Sequence, residues 1–421
     1  MDTARSLFTQ TCEQLEKASI RYCVLRDPSF WHDHRCEVDL LVDPTDLERF
    51  SEAVRDLQFV KLSGWGRAPH HFYVAYAAGR NAWLKLDVVT RLAFGYGSHA
   101  IHTDLAEGCL ARRRQVYGCF RPTPHDELLA LLLHAILDKR AFSPERAARV
   151  QSLWAQIQDF SVLSGLLAQV WPGMTRERLS AAIEAGAWND LLAERRRIEA
   201  ALIGRHRVGT HLRRIRDRLL RKADRLARFV RPQTLSIAVV APDGAGKSTL
   251  IRSLEHSFYG SVRAIYMGLY NRDAKAPRLP LPGLAFAGRM LTQWKRYLAA
   301  RLHLGRGRFV VFDRYTYDAL LPSRRAQGFG GELRRALLAY ACPAPDLLVM
   351  LDAPGSVLFD RKGEHSADFL EQQRQAYLVL KARLPQMVVV DATREPGEVC
   401  RNVTQLIWQR YGARLESGSR A

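Results

Sequence analysis

The sequence predicts an α/β fold for its C-terminal half, with a parallel sheet and flanking helices in three layers, preceded by an α+β domain and a helical spacer. Its 421 residues exceed what one hydrophobic core usually organises, so two globular units are expected. In the C-terminal half, short β-rich runs alternate with helical segments, which is typical of a parallel sheet. The N-terminal part combines helices with a predicted hairpin.

The composition is that of an ordinary globular protein, with 47% hydrophobic and 25% charged residues. The formal net charge of +20 favours polyanionic partners such as nucleotides, nucleic acid or an anionic membrane surface. The seven cysteines form no CxxC pair, which argues against a disulfide framework or a zinc site. The N-terminus lacks a signal-peptide core, and the longest apolar stretch, 128–137, is too short to span a bilayer. We expect a cytoplasmic protein, with peripheral attachment at the inner membrane surface left open.

The first domain is predicted over residues 1–123. Its elements, in order, are a helix over 3–19, strands over 20–25 and 38–42, a helix after residue 44, and a hairpin formed by 71–77 and 83–89. Thr45 and Glu48 have capping-box spacing at the start of the second helix. Gly79-Arg80-Asn81 supplies the hairpin turn.

Helical periodicity then predicts a small helical subdomain over residues 124–204. The next segment, 205–232, is predicted to be a basic amphipathic linker helix that ends at Pro232, because it combines many cations with an apolar stripe. Its stripe consists of Leu212, Ile215, Leu219, Leu220, Leu226 and Phe229. We expect the stripe to pack on one of the domains, and docking of residues 205–231 on anionic lipid or on nucleic acid is the alternative.

The C-terminal domain is predicted over residues 233–414, followed by a flexible tail, 415–421. Its β-rich runs are 235–240, 262–267, 309–312, 347–351 and 387–390, and helices are predicted over 247–256 and 395–411. A ligand of such a sheet binds beyond the carboxyl ends of the strands.

The clearest motif is a phosphate loop, Ala241-Pro-Asp-Gly-Ala-Gly-Lys-Ser-Thr249, between a buried strand and a helix, which is the context of a Walker A motif. Its glycines let backbone N–H groups face phosphate oxygens, Lys247 supplies charge at the β/γ-phosphates, and Ser248 offers a hydroxyl to Mg²⁺. Ala241 stands where the motif has its first glycine, so it must keep an unstrained φ. The residues predicted to bind nucleotide here are Asp243, Gly244, Ala245, Gly246, Lys247, Ser248 and Thr249.

A second motif is Phe309-Val-Val-Phe-Asp-Arg-Tyr315, an apolar strand that ends in a carboxylate. Asp313 is therefore a candidate on the metal side, where a P-loop protein needs an acid. Arg314 follows at the strand end and suits the clamping of an acceptor phosphate.

Four landmarks in this order resemble the thymidylate kinase group: Asp243-Gly-Ala-Gly-Lys-Ser-Thr249, Asp313-Arg-Tyr315, Leu347-Leu-Val-Met-Leu-Asp352 and Arg361-Lys-Gly-Glu-His-Ser366. The resemblance implies a P-loop kinase with ATP and Mg²⁺ as cofactors and Arg314 on the acceptor phosphate. It also implies a mobile lid that carries Arg361 and Lys362, and backbone near Ala392 around the adenine.

One element of that group is missing. Its members carry Arg-Glu-Pro-Gly after the second strand, where this chain has Tyr266-Met-Gly-Leu-Tyr270. The same letters at Arg394-Glu-Pro-Gly397 open the last helix, where Pro396 suits the first turn. The chain also resembles thymidylate-kinase-like proteins with an N-terminal nucleotidyltransferase-like region, many of them from bacterial surface-polysaccharide gene sets. The acceptor is therefore expected to be a nucleoside monophosphate or a sugar or glycan-type group.

Three N-terminal carboxylates are predicted to converge as metal ligands. Glu37 and Asp39 lie two residues apart on one face of a strand, and Asp87 lies near the end of a later strand. Their order and spacing resemble nucleotidyltransferases of the polymerase-beta type, in which such a trio holds two Mg²⁺. The Gly-Ser turn of that group is replaced by Leu25-Arg26-Asp27-Pro28, so an active enzyme and an inactive binding fold both stay open. The histidines 32, 34, 70 and 71 are expected to lie on the surface without a metal.

The leading hypothesis is an ATP- and Mg²⁺-dependent kinase fused to a nucleotidyltransferase-like domain. Its partners would be a nucleotide donor and a phosphate-accepting small molecule or glycan, and a homodimer is compatible with the sequence. Nucleotidyl transfer as the main activity, and an ATP-regulated module that binds nucleic acid or membrane through residues 205–231, are the alternatives.

Overall fold

The computed structural model describes residues 3–26, 35–62, 69–95, 101–205, 207–269, 282–322 and 329–419. The chain divides into two compact units, Met1–Ala223 and Asp224–Ala421. Within the described ranges, every helix is too short or too polar to cross a bilayer. His32, His34 and residues 270–281, which include Tyr270 of the Tyr266-Met-Gly-Leu-Tyr270 stretch, lie outside the described residues.

The first unit contains a five-stranded mixed sheet in the order β1-β2-β5-β4-β3. Its strands are β1 (Tyr22–Val24), β2 (Arg35–Val42), β3 (Val60–Lys61), β4 (His70–Ala77) and β5 (Ala82–Val89), and two short hairpins follow from β6 (Ala93–Phe94), β7 (Ile101–His102), β8 (Arg114–Val116) and β9 (Cys119–Arg121). The predicted hairpin is present, and Asn81 closes its turn with φ 53°, a left-handed conformation that asparagine tolerates. Strands β2 and β5 run parallel, which aligns Asp39 with Asp87.

Helices cover the first unit and continue beyond its sheet. They are α1 (Thr3–Lys17), α2 (Leu47–Asp56), α3 (Leu105–Arg112), α4 (Pro124–Leu133), α5 (Pro144–Gln156), α6 (Ser161–Val170), α7 (Arg176–Glu184), α8 (Trp188–Ala193), α9 (Arg195–Arg205) and α10 (Arg207–Val230). The predicted capping box is wrong, because a 3-10 turn, Pro44–Asp46, precedes α2. The Asp43 carboxylate caps that turn by accepting from the Thr45 amide.

Helices α4 to α9 enclose a core of their own, in which Trp171 and a row of leucines are fully buried. Pro144 begins α5 behind the Ser143 cap, as the predicted helix break requires. Residues Leu92, Phe94, Ile101 and Leu105 join this core. The helical segment therefore shares apolar contacts with the chain that precedes it.

Helix α10 is the predicted basic helix, but most of the described side chains of its apolar stripe do not pack on a domain as expected. Ile215, Leu219 and Leu226 are exposed. Eleven lysines and arginines occur between residues 205 and 231, and cations are rarely buried without partners, so a helix with this many of them remains solvated.

The second unit contains the predicted parallel sheet, in the order β11-β12-β10-β13-β14. Its strands are β10 (Ser236–Val240), β11 (Val262–Tyr266), β12 (Phe309–Asp313), β13 (Leu347–Asp352) and β14 (Met387–Asp391), and its helices are α11 (Lys247–Ser257), α12 (Pro282–Gly305), α13 (Phe329–Ala339), α14 (Gly355–Lys362), α15 (Ala367–Arg383) and α16 (Pro396–Ser419). The central strand β10 is buried at every position. This burial explains the apolar run from Ile237 to Val240, and the parallel pairing of all five strands confirms the predicted fold class.

Helix α16 begins at Pro396, which is the predicted first-turn position. It continues to Ser419 and so includes most of the segment predicted as a flexible tail, 415–421. Arg414 explains part of this extension, because its guanidinium donates to Asp346 Oδ1 at 2.6 Å and to the Pro232 carbonyl at 3.0 Å. These contacts attach the end of the helix to the base of the sheet.

Candidate active site

The phosphate loop joins β10 to α11 at the carboxyl edge of the sheet. Gly244 and Gly246 both have φ 88°, a conformation that side-chain-bearing residues rarely adopt. Ala241 is not among the residues with positive φ, so it fits the position of the motif's first glycine without backbone strain. The loop therefore has the backbone that the Walker A pattern predicts.

Gly244 also allows a close approach between the loop and α14. A Cβ atom at this position would come within 2.6 Å of the Leu358 carbonyl oxygen. A Cβ atom at Gly246 would meet open space, so only its backbone conformation favours glycine there. Gly244 is thus required both for its backbone conformation and for packing, whereas Gly246 is required for its backbone conformation alone.

Lys247 is the buried cation of the loop. Its Nζ atom donates to the carbonyl oxygens of Ala241 at 2.9 Å and Pro242 at 2.7 Å, and it lies 3.7 Å from Asp243 Oδ1. Burial, assisted by the positive charge of Arg314, lowers the pKa of Lys247 to about 8. This ammonium group loses its proton unusually easily for a lysine.

The end of β12 brings Arg314 to the same loop. Its Nη2 atom donates to Asp243 Oδ1 at 2.7 Å, and its Nη1 atom lies 3.6 Å from Asp318 Oδ2. Arg314 has φ 66°, a strained conformation for a residue with a side chain, and its amide donates to the Val239 carbonyl at 3.0 Å. Burial alone would lower the pKa of Arg314, yet the neighbouring carboxylates of Asp318 and Asp243 raise it.

Asp243 is the point at which these cations meet. Burial would raise the pKa of its carboxyl group, but Lys247, Arg314 and Lys362 lower it. Asp313 ends β12, next to Val239 of β10 in the register of the sheet. Ser248 and Thr249 are exposed at the start of α11. The predicted loop residues and both residues of the Asp313-Arg314 pair therefore lie at one edge of the sheet.

Two residues that sequence reasoning missed complete this centre. Asp318 is buried beneath Arg314, and the Tyr377 hydroxyl donates to its Oδ1 atom at 2.9 Å. Burial raises the pKa of the Asp318 carboxyl group against the opposing effect of Arg314. The four-residue spacing of Arg314 and Asp318 was visible in the sequence, whereas Tyr377 joins from α15 only through the fold.

The predicted lid residues divide between two environments. The guanidinium of Arg361 donates to the Ala392 carbonyl at 2.8 Å and to the Thr393 carbonyl at 3.4 Å, so it lies at the end of β14. Lys362 lies 3.0 Å from Glu364, and its charge also reaches Asp243. Arg361 therefore contacts the backbone that is predicted to surround the adenine. Lys362 interacts electrostatically with Asp243 of the phosphate loop.

An ion-pair brace lies behind this segment and was not predicted. Arg374 of α15 donates to both carboxylate oxygens of Asp352, at 2.7 and 3.1 Å, and to Glu371 at 2.8 Å. Glu371 in turn accepts from the Gly355 amide at 2.9 Å. The start of α14 is thus fixed to α15, which positions the helix that ends in Arg361 and Lys362.

Three side chains lie at the end of β11, where the acceptor is predicted to bind. Arg296 of α12 donates to the Gly268 carbonyl at 2.9 Å, and its guanidinium lies 5.3 Å from the centre of the Tyr266 ring. Gln293, one turn earlier, is buried and points its amide nitrogen at the same carbonyl, at 3.4 Å. Its Oε1 atom is buried without a hydrogen-bond partner among the residues that the structure describes.

The N-terminal carboxylates form a separate cluster in the first unit. Oxygen atoms of Glu37, Asp39 and Asp87 all lie within 4.8 Å of one another, as their strand positions predict. Each acid also has a basic neighbour, namely Lys85 at 2.6 Å from Glu37, Arg26 at 3.4 Å from Asp39 and His70 at 3.1 Å from Asp87. Burial raises the pKa of Asp39, Arg26 opposes this effect, and Asp87 adds to it.

The two histidines of β4 are only partly exposed, because the strand lies within the sheet. His70 is thus less exposed than predicted, and its Nδ1 atom lies 3.1 Å from Asp87 Oδ1. Burial, with Lys61 and His70 nearby, lowers the pKa of His71. That shift favours the neutral imidazole.

Comparison with known proteins identifies relatives of part of the chain. The chain is 30% identical over 211 residues to the thymidylate kinase of Xanthomonas campestris pv. campestris (strain B100), covering 45% of this chain and 89% of that protein. It is 27% identical over 203 residues to the thymidylate kinase of Xylella fastidiosa (strain 9a5c), covering 42% of this chain and 93% of that protein. Among solved structures, the thymidylate kinase of Candida albicans is similar at 19% identity and a TM-score of 0.35, over 42% of this chain and 93% of that one.

No family model matches the sequence. The match to curated relatives nevertheless covers nearly their whole length, and it confirms the resemblance drawn from the phosphate loop and the Asp313-Arg314 pair. The resemblance of residues 20–90 to nucleotidyltransferases stays a prediction. Over somewhat less than half of its length, the chain belongs to the thymidylate kinase family of P-loop kinases.

Proposed function

We propose that the chain transfers a phosphoryl group from ATP, with Mg²⁺, to a nucleoside monophosphate or to a sugar or glycan-type acceptor. One observation carries the proposal. Asp243 Oδ1 is approached by Arg314 Nη2 at 2.7 Å and by Lys247 Nζ at 3.7 Å, so a donor-side and an acceptor-side cation reach the same anionic atom. Phosphoryl transfer requires such convergent positive charge around the moving group.

The loop residues fit a bound polyphosphate and its metal. Gly244 and Gly246 hold the backbone in the conformation that turns amides toward an anion at the start of α11. Ser248 and Asp313 would hold Mg²⁺, which neutralises charge on the phosphate oxygens when bound. Lys247 would exchange its two loop carbonyls for phosphate oxygens, since both are acceptors for the same ammonium group.

The lid residues would contribute at both ends of the donor. Lys362 already interacts electrostatically with Asp243 and would add positive charge near the phosphates. Arg361 and the Ala392 backbone would lie beside the adenine. Closure of this segment would exclude water and so limit wasteful hydrolysis of ATP.

The relatives' names favour a nucleoside monophosphate as the acceptor. Arg314 would clamp its phosphate, because a guanidinium presents a planar fork of donors. Arg296 and the amide oxygen of Gln293, which lacks a partner among the described residues, would recognise the rest of the acceptor. The glycan-type alternative rests on the sequence after β11, where Tyr266-Met-Gly-Leu-Tyr270 replaces the Arg-Glu-Pro-Gly element.

A screen with γ-labelled ATP tests this proposal. The full chain is incubated with dTMP, other nucleoside monophosphates, free sugars and glycan fragments, and label transfer and ADP formation are both measured. We expect acceptor-dependent ADP formation with one of these classes. Equal ADP formation with and without every acceptor would instead indicate an ATPase, and no ADP formation at all would contradict the proposal.

The lowered pKa of Lys247 predicts that nucleotide binding weakens at alkaline pH. Above a pKa of about 8, the free enzyme increasingly holds a neutral amine, whereas bound phosphates require the ammonium form. The phosphates of ADP are already ionised in this range, because their last pKa lies near ~6. Above the pKa of Lys247 we therefore expect the Kd for ADP to rise with pH, approaching about tenfold per pH unit.

Isothermal titration calorimetry across this pH range measures the effect. Lys247→Arg is the control, because a guanidinium keeps its proton and should give a nearly flat profile. A parent profile as flat as that of the control would contradict the assigned pKa and the role of this ammonium group.

We further propose nucleotidyl transfer as a second candidate function, located in the first unit. The convergence of Glu37, Asp39 and Asp87 within 4.8 Å supports it, since three carboxylates at this separation can hold divalent cations. With nucleoside triphosphate and Mg²⁺, we expect pyrophosphate release that disappears in Asp39→Asn. Pyrophosphate release that Asp39→Asn does not change would contradict this proposal. The absence of pyrophosphate release by the parent chain would contradict it as well.

A further inference from the structure

Asp318 is a buried carboxylate of the candidate active site to which the proposed transfer assigns no step. It lies in the 3-10 turn Thr316–Leu320, just after β12, and its side chain is only 7% exposed. The Tyr377 hydroxyl donates to its Oδ1 atom at 2.9 Å, and Arg314 Nη1 lies 3.6 Å from its Oδ2 atom. Each carboxylate oxygen has two lone pairs, so Oδ2 can accept a further hydrogen bond.

The surroundings of Asp318 make it a good proton acceptor. Burial raises the pKa of its carboxyl group, and Arg314, Tyr377 and Lys247 oppose this rise. These three groups come from the end of β12, from α15 and from α11. Lys247 is the cation of the phosphate loop, so Asp318 lies within electrostatic reach of the position predicted for the moving phosphoryl group. A carboxylate with a raised pKa is a stronger base than an exposed one.

A kinase needs such a base for only one of the two acceptor classes. A phosphate acceptor attacks through an oxygen that is already ionised at neutral pH, so no proton has to be removed from it. A hydroxyl acceptor must lose its proton as it attacks, and a positioned carboxylate can take that proton. The chemistry of the acceptor therefore decides whether Asp318 has a catalytic role.

The charges around Arg314 favour a hydroxyl. The Nη2 and Nη1 atoms of Arg314 already face Asp243 and Asp318, so an acceptor phosphate on this guanidinium would lie beside two carboxylates. Like charges so close together repel each other. A neutral hydroxyl avoids this repulsion, and Arg314 would then face the moving phosphoryl group itself.

We propose that Asp318 is the catalytic base for a hydroxyl acceptor of the sugar or glycan type. This inference rests on the proposed kinase function and selects one of its two acceptor classes. The Asp318 carboxylate takes the hydroxyl proton, the hydroxyl oxygen bonds to the γ-phosphorus, and the bond from that phosphorus to the β,γ-bridging oxygen breaks. ADP leaves with the bonding electron pair, and Asp318 then releases the proton to solvent. The product is a phosphate monoester.

Kinetics of the full chain with labelled ATP test the proposal. The acceptors are a panel of sugars and glycan fragments together with dTMP, and ³¹P NMR distinguishes a monoester product from a diphosphate. We expect a monoester. Asp318→Asn keeps an acceptor atom for Tyr377 but cannot take a proton, so kcat should fall by about 10²-fold to 10⁴-fold with little change in the Kd for ADP. Asp190→Asn makes the same chemical change on an exposed residue of the first unit and should match the parent.

The pH profile of kcat separates proton removal from a role limited to holding Arg314. The base acts only when it is ionised, so kcat of the parent should fall as pH drops through the pKa of Asp318. The hydrogen bond from Tyr377 lowers that pKa, so Tyr377→Phe should move the acid limb of the profile to higher pH. The residual activity of Asp318→Asn should lack this limb. Loss of a purely structural contact would lower kcat without moving the limb.

Three results would overturn the proposal. A diphosphate product without any monoester would assign the acceptor to nucleoside monophosphates and leave the proposed kinase function standing. Turnover by Asp318→Asn within twofold of the parent would give Asp318 a structural role. The absence of acceptor-dependent ADP formation would contradict the proposed function itself, and this inference with it. Thermal unfolding shows whether each variant is folded; if Asp318→Asn is not, an acid limb that Tyr377→Phe leaves unmoved overturns the proposal.

Discussion

Lys247→Ala is expected to abolish phosphoryl transfer while leaving the fold intact. The substitution removes the ammonium group that would stabilise the β- and γ-phosphates, and losses of this kind lower kcat by on the order of 10³-fold. The fold should survive, because burial of this charge is unfavourable, as its lowered pKa shows. Asp243 also keeps Arg314 as a partner at 2.7 Å.

Steady-state kinetics with the acceptor found by the screen, together with thermal unfolding, measure both parts of this prediction. Lys381→Ala makes the same chemical change on the exposed face of α15 and serves as the control. It should retain parental kcat and Tm. Turnover by Lys247→Ala within twofold of the parent would remove the basis for assigning phosphate binding to this loop.

Arg314→Lys is expected to impair use of the acceptor far more than use of ATP. The lysine keeps the positive charge between Asp243 and Asp318 but cannot present two parallel donors to a phosphate. We expect kcat/KM for the acceptor to fall by roughly 10²-fold to 10³-fold, with a smaller change in KM for ATP. Because a cation remains beside the buried Asp318, this variant avoids the uncompensated carboxylate that a neutral substitution would create.

Arg374→Lys separates this role from a structural one. Arg374 also bridges two carboxylates, Asp352 and Glu371, so its replacement weakens an equivalent ion-pair network in the same unit. It should lower Tm slightly with little change in kcat/KM for the acceptor, because the lysine keeps a cation between Asp352 and Glu371 and so keeps the start of α14 in place. If both variants lose acceptor use to the same extent, the effect of Arg314→Lys reflects the stability of the unit and not recognition of a phosphate.

The sequence was most informative where local chemistry and local structure coincide. Gly244, Gly246 and Lys247 form a contiguous motif, and their conformations follow from residue type, as the positive φ of both glycines shows. The same holds for Glu37 and Asp39, whose alternation in one strand predicts a shared face. Asp87 joined them because parallel pairing of β2 and β5 aligns it with Asp39.

The predictions that were wrong depend on competition between interactions. Thr45 and Glu48 match a capping box, but Asp43 two residues earlier offers a carboxylate to the Thr45 amide and begins a 3-10 turn instead. The apolar stripe of α10 suggested a packed helix, yet Leu219, Leu220 and Leu226 are exposed beside a high density of cations. In both cases the pattern identified a helix correctly and misjudged its surroundings.

By itself, the sequence determined the order of the elements, the phosphate loop, the candidate Asp313-Arg314 pair and the three N-terminal acids, because each depends on residue type and short spacing. Only the tertiary structure decided which distant groups meet these residues. It brings Tyr377 to Asp318, Arg361 to Ala392 and Leu358 against Gly244. Such contacts join residues dozens of positions apart, and they arise when burial of a shared core selects one packing of the helices against the sheet.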